Sequence, residues 1–140
     1  MNIKNYGFTL LEILVVLAIV AIITAVAVPS YKNYIVKSKR YDSINSLNLM
    51  VLSQERFYND NGMFSSSLGG LTDYLGDYLN DEYDYTVTSS DTSTGYTITA
   101  VAKADSNQTD DTEGGVDCST ITLTVSGLNR TETPSQCWGD

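Results

Sequence analysis

The stretch from residue 8 to residue 28, FTLLEILVVLAIVAIITAVAV, constrains this chain more than any other feature. Thr9, Glu12 and Thr24 are its only polar residues. As a helix it rises about 30 Å, the thickness of a bilayer's hydrocarbon core. Its polar residues do not gather on one face, so it offers no side to water. Three uses fit such a helix. It could be a secretory signal removed at Ala25-Val26-Ala27, which has the A-x-A form. It could be a plain membrane anchor. It could be a rod that exchanges lipid for contacts with like rods.

Glu12 weighs between them. An ionisable group at mid-membrane costs about 2.5–3.5 kcal/mol. A signal or a plain anchor gains nothing from it, whereas a rod that meets a positive charge does. The natural source is an α-amino group four residues upstream, exposed by a cut before Phe8. The residues ahead of that cut, MNIKNYG, are short, polar and basic, and they end in Gly.

Charge is distributed unevenly along the chain. Residues 1–40 carry Lys4, Lys32, Lys37, Lys39 and Arg40 against Glu12 alone, while residues 41–140 carry Arg56, Lys103 and Arg130 against sixteen carboxylates, within a net charge of −9. An acidic body argues against a non-specific nucleic-acid binder, because phosphate contacts need cations on one face. There is no His, which removes the commonest general base and metal ligand. Two Cys cannot build a four-thiolate zinc site. The chain is therefore expected to be no enzyme and to hold no cofactor.

Past Pro29, Ile35, Ile44, Leu47, Val51 and Tyr58 recur at helical spacing among polar residues, one apolar stripe on a wet helix that stops near Gly62. If Pro29 only bends the chain, residues 8–59 form one rod of roughly 75–80 Å. About half of it then projects from a body some 30 Å across. Residues 63–82 read as an irregular loop with a helical turn around 71–79. Strand patterns follow at Tyr83–Thr88, 96–103 and 118–125, with a loop over 104–117. The fold class is α+β, with the stripe of the long helix covering one face of a small antiparallel sheet.

Gly7-Phe8-Thr9-Leu10-Leu11-Glu12, the apolar run and Pro29 together resemble the class III signal of type IV pilins and pseudopilins. QERFYNDNGMF at residues 54–64, the Thr-rich strands and the terminal Cys137-Trp138 extend the resemblance to type IVa minor pilins. The resemblance implies a type IV pilin fold in three parts. Residues 1–7 are a leader, 8–29 a transmembrane and filament-core helix, and 30–140 an exported head. It implies cleavage by prepilin peptidase between Gly7 and Phe8, N-methylation of Phe8, a subunit-register role for Glu12 and a kink at Pro29. Outside the cytoplasm, Cys118 and Cys137 are expected to pair as a disulfide.

The implied partners are other pilin subunits, prepilin peptidase, the inner-membrane assembly machinery and, before assembly, the inner membrane. The implied service is pilus assembly in support of twitching motility, attachment or DNA uptake. The alternatives are a DNA-uptake receptor pilin and a pseudopilin of a type II secretion system. The basic residues after the span are expected to lie at the outer headgroup level. Two acidic clusters, Asp73, Asp77, Asp81, Glu82 and Asp84, then Asp105, Asp110, Asp111, Glu113 and Asp117, are expected to be solvated surface and not a metal site.

Overall fold

Leu and Ala interleave with β-branched Ile and Val in the first half of the long segment, and no Gly interrupts it. The computed structural model, which describes residues 7–76 and 79–139, forms helix α1 over Leu10–Asn61, passing through Pro29. Residues 1–6 of the expected leader, with Lys4, lie outside the described residues, as do Asp77 of the acidic cluster, Tyr78 and Asp140. The chain divides into two compact units after Ile35.

In the first unit, residues 7–35 are exposed throughout, and α1 there contains a stretch long and apolar enough to cross a membrane. Pro29 supplies no N–H, so the Ala25 carbonyl loses its helical donor. On either side, the Thr24 and Ser30 hydroxyls donate to the Val20 and Val26 carbonyls at 2.7 and 3.1 Å.

In the second unit, α1 presents a mixed stripe. Arg40, Ser43, Ile44, Leu47, Met50 and Gln54 are buried, at the three-to-four residue spacing of one helix face. Ile35 and Tyr58, counted in the expected stripe, are exposed, and Phe57 takes the inward place beside Tyr58. A four-stranded antiparallel sheet lies against this face in the order β1-β2-β5-β6: β1 Tyr83–Thr88, β2 Gly95–Ala102, β5 Thr120–Ser126, β6 Asn129–Thr133. Tyr83, Tyr85 and Val87 alternate inward from β1, Tyr96, Ile98 and Ala100 from β2, Ile121 and Leu123 from β5. The core they form also takes in Leu71 and Leu75. Each such aliphatic side chain contributes about 1.5–3 kcal/mol when fully buried.

The helical turn expected around 71–79 is present as the one-turn helix α2 over Thr72–Leu75, preceded by a 3₁₀ turn over Leu68–Leu71. Two details differ from the sequence reading. The loop 104–117 holds a 3₁₀ turn over Asn107–Asp110 and a two-residue hairpin, β3 Thr112–Glu113 with β4 Val116–Asp117. Strand β6 was not expected. It pairs with β5 through a tight turn in which Gly127 takes φ 58°, a value that suits the first central position of a two-residue hairpin.

Candidate functional site

The N-terminal site begins with residues outside the helix. Gly7, Phe8 and Thr9 are non-helical, and the space around the Gly7 Cα is open. Thr9 is the N-cap: its Oγ1 accepts from the Glu12 backbone N–H at 3.2 Å. Thr9-x-x-Glu12 has the capping-box form, and a carboxylate in the first turn is favoured by the helix dipole. The sequence carried this signal, and the reading of Glu12 as a register residue passed over it. Among the described residues no cation pairs with the Glu12 carboxylate. The first turn thus presents a free acid beside an exposed Phe8, on a helix segment otherwise coated with apolar side chains.

Of the four basic residues that follow the apolar run, Lys37, Lys39 and Arg40 meet carboxylates of the same chain. Lys37 pairs with Glu113 at 3.0 Å and Lys39 with Glu82 at 3.6 Å. Arg40, 1% exposed, donates from Nη1 to Asp111 Oδ1 at 3.0 Å and from Nη2 to Glu113. Asp111 is itself only 3% exposed, so this member of the expected solvated surface is an internal ion-pair partner. Burial raises the Asp111 carboxyl above the usual range, against the lowering pull of Arg40. The Lys37 hydrogen bond, followed by that of Arg40, lowers Glu113, and the same bond raises Lys37. Nearby, Tyr83 Oη donates to Gln108 Oε1 at 3.1 Å, and Tyr85 Oη donates to Ser43 at 3.0 Å. Gln54, fully buried, closes two bonds with the Ser65 backbone, at 2.9 Å to the carbonyl and 2.8 Å from the N–H.

Cys118 and Cys137 are bonded to one another across a separation of 19 residues, and both are buried. Closing a loop of this size stabilises by about 3 kcal/mol in the chain-entropy picture. Among the described residues no group of three or more His, Cys, Asp or Glu side chains is placed to hold a metal ion. Tyr74 packs at the helix end: its ring meets Phe57 edge-on at 5.9 Å and its hydroxyl donates to Asp60 at 2.9 Å.

Comparisons with known proteins agree with this geometry. Residues 2–28 match the prokaryotic N-terminal methylation motif. The fimbrial protein EcpC of Eikenella corrodens is 29% identical over 98 residues, covering 70% of this chain and 63% of that protein. The type IV major pilin PilA of Myxococcus xanthus is 31% identical over 64 residues, 46% of this chain and 29% of PilA. A fimbrial protein of Neisseria meningitidis is 31% identical over 84 residues, 56% of this chain and 49% of its own length. The chain thus spans less than two thirds of each of these three relatives. Residues 29–122 match the family model described as type IV minor pilin ComP, DNA uptake sequence receptor. With a capped apolar helix, a helix-backed antiparallel sheet and a match over most of its length, this chain belongs to the ComP family of type IV minor pilins.

Proposed function

We propose that this chain serves as a structural minor subunit of a type IV pilus. It is made as an inner-membrane precursor, cut by prepilin peptidase between Gly7 and Phe8, methylated at Phe8 and drawn into the filament by the assembly machinery. The observation that carries this reading is the Glu12 carboxylate, which pairs with no cation among the described residues, in the first turn of an exposed, otherwise apolar helix segment.

The cut frees an amine at Phe8, one residue ahead of the N-cap. Methylation leaves that amine protonatable, so it remains a cation for Glu12 of the same or a neighbouring subunit. In a bundle of such helices, Ala18, Ala21, Ala25 and Ala27 allow close approach. A slip of one turn leaves acid and amine unpaired in an apolar core, an arrangement far less stable than the matched one. The missing hydrogen bond at Pro29 is the place where the rod yields on assembly. The head, closed by the Cys118–Cys137 bond, is carried to the filament surface.

Glu12→Leu tests this reading. The variant is expected to insert in the membrane and be cleaved normally, yet to be missing from filaments sheared off the cell. Incorporation at the level of the unsubstituted chain would overturn it.

The description of the family as a DNA uptake sequence receptor supports a second reading, in which the head binds DNA. In this chain Lys37, Lys39 and Arg40 are engaged by carboxylates, and Arg130 holds Glu132 and Asn48, each at 2.7 Å. Among the described head residues, Lys32, Arg56 and Lys103 are the cations without a carboxylate partner. Salt-dependent retardation of duplex DNA by the purified chain would establish the receptor reading.

A further inference from the structure

At one end of the sheet, the β1–β2 loop and the outer face of β2 and β5 enclose an open cleft of about 480 Å³. Its lining is hydroxylic: Thr88, Ser89, Thr94, Thr97 and Thr124 are among its walls, with Asp91 as the single charge. No lining residue is a cation.

The floor is one row of a larger array. Register places Thr88, Thr97, Thr124 and Thr131 side by side across four strands, and Thr86, Thr99, Thr122 and Thr133 in the next row. Adjacent strands set these side chains about 4.8 Å apart. The hydroxyls already associate, Thr97 with Thr124 at 3.1 Å and Thr122 with Thr99 at 3.5 Å. Thr is a common residue on exposed strand faces, so the rows alone assign nothing. The concavity and its built wall add to them.

That wall is ordered before any ligand arrives. The Asp91 carboxylate accepts from the Ser93 N–H and hydroxyl at 2.9 and 2.6 Å. The Asp91 carbonyl accepts from Gly95 at 3.1 Å. Gly127 donates to Thr94 at 2.8 Å, and Phe64 to Thr92 at 2.7 Å, tying the loop to the neighbouring turn and to the segment after α1. The cleft falls within the size range of small-ligand sites, and little of its ordering remains to be done on binding.

We propose that this cleft binds a neutral glycan. Each Ser or Thr hydroxyl donates one hydrogen bond and accepts others, the same pattern a sugar hydroxyl offers in return. The threonine methyl groups suit the C–H surface between those hydroxyls. Asp91, whose Oδ1 is already engaged by Ser93, offers Oδ2 as a strong acceptor for a sugar hydroxyl and repels phosphate, sulfate and carboxylate ligands. A nucleic acid would need cations or an exposed stacking ring, and Tyr96, the one aromatic in the lining, is buried. A lipid or apolar peptide would need a larger apolar wall. The binding does not depend on filament assembly, so the two proposals stand or fall separately.

Saturation-transfer NMR on the full-length chain in detergent tests it, with chitotetraose, cellotetraose and maltotetraose as probes. At least one is expected to give transfer to its ring protons. Thr97→Val with Thr124→Val keeps the strand shape and removes the floor hydroxyls. It is expected to weaken that response by about tenfold, the loss of one or two hydrogen bonds. Thr86→Val with Thr133→Val, in the row outside the cleft, is expected to leave the response unchanged and serves as the folding control. Absence of transfer with all three sugars overturns the proposal, as does equal transfer in both double variants. Shifts at Asp91 and Thr97 produced by calcium or duplex DNA instead of sugar also overturn it.

Discussion

Arg40 on α1 and Asp111, 71 residues later, face each other at 3.0 Å with almost no contact with water. The pair fastens the hairpin loop of the head to the helix. Removing one partner leaves the other charge buried alone, which costs about 3–5 kcal/mol. Arg40→Met is expected to lower stability by that amount. Arg40→Met with Asp111→Leu is expected to recover most of it, because an apolar pair of similar volume is often as stable. Urea unfolding of the single and double variants measures both. Additive losses would show that the two side chains do not act as a pair.

Gly95 opens β2 where the backbone of β5 comes very close. A Cβ added there would sit 2.1 Å from the Val125 carbonyl oxygen and 3.0 Å from the Ser126 Cα, both backbone atoms that cannot swing aside. Gly95→Ala is expected to destabilise the head by about 1–3 kcal/mol. Gly114→Asn is expected to cost less, since its Cβ meets nothing within 4 Å and Asn tolerates a φ of 58° better than most residues. Thermal melts of the two variants compare them; equal melting temperatures would contradict the packing argument.

Gln54 holds the segment after α1 as a strand would, donating to the Ser65 carbonyl and accepting from its N–H. Gln54→Met has similar shape but leaves both backbone groups buried without partners. The expected cost is about 2–6 kcal/mol, at roughly 1–3 kcal/mol per orphaned group. Amide exchange at Ser65 reads it directly: the variant should lose protection there, and unchanged protection would refute the role.

Acid should loosen the helix–loop attachment through Glu113. Its carboxyl is held below the usual range by Lys37 and then Arg40. A depressed carboxyl stabilises the folded chain above its unfolded value, and that contribution is lost as pH falls through the folded value. Asp111 has the opposite sign. Its raised carboxyl makes the ionised form costly, so protonation partly relieves the fold as pH drops. Glu113→Gln is expected to lower the melting temperature near neutral pH and to flatten its decline in acid, the two proteins converging once the pH has fallen below the folded value of Glu113. Parallel pH profiles would exclude Glu113 as a source of acid sensitivity.

What the amino acids announced, and what they hid, follows from the kind of interaction. Strand β1 is legible because Tyr83, Tyr85 and Val87 alternate with polar residues, and one face is buried. Strand β6 is not, because Asn129-Arg130-Thr131-Glu132-Thr133 lies on the sheet edge with no buried side chain and carries no apolar alternation. The inward stripe of α1 was visible at Ile44 and Leu47. Its polar members, Arg40, Ser43 and Gln54, were invisible to a hydrophobic pattern because they are buried only where a distant partner satisfies them. At the N-terminal site the apolar run and Glu12 were plain in the sequence, and the Thr9 cap was readable from Thr9-x-x-Glu12 spacing alone.

The account rests on a new amine beside Glu12, and the intact mass of protein recovered from sheared filaments examines it most directly. The expected species begins at methylated Phe8 and carries one closed disulfide. A mass for a chain that begins at Val28, or one that retains residues 1–7 within working filaments, would contradict it.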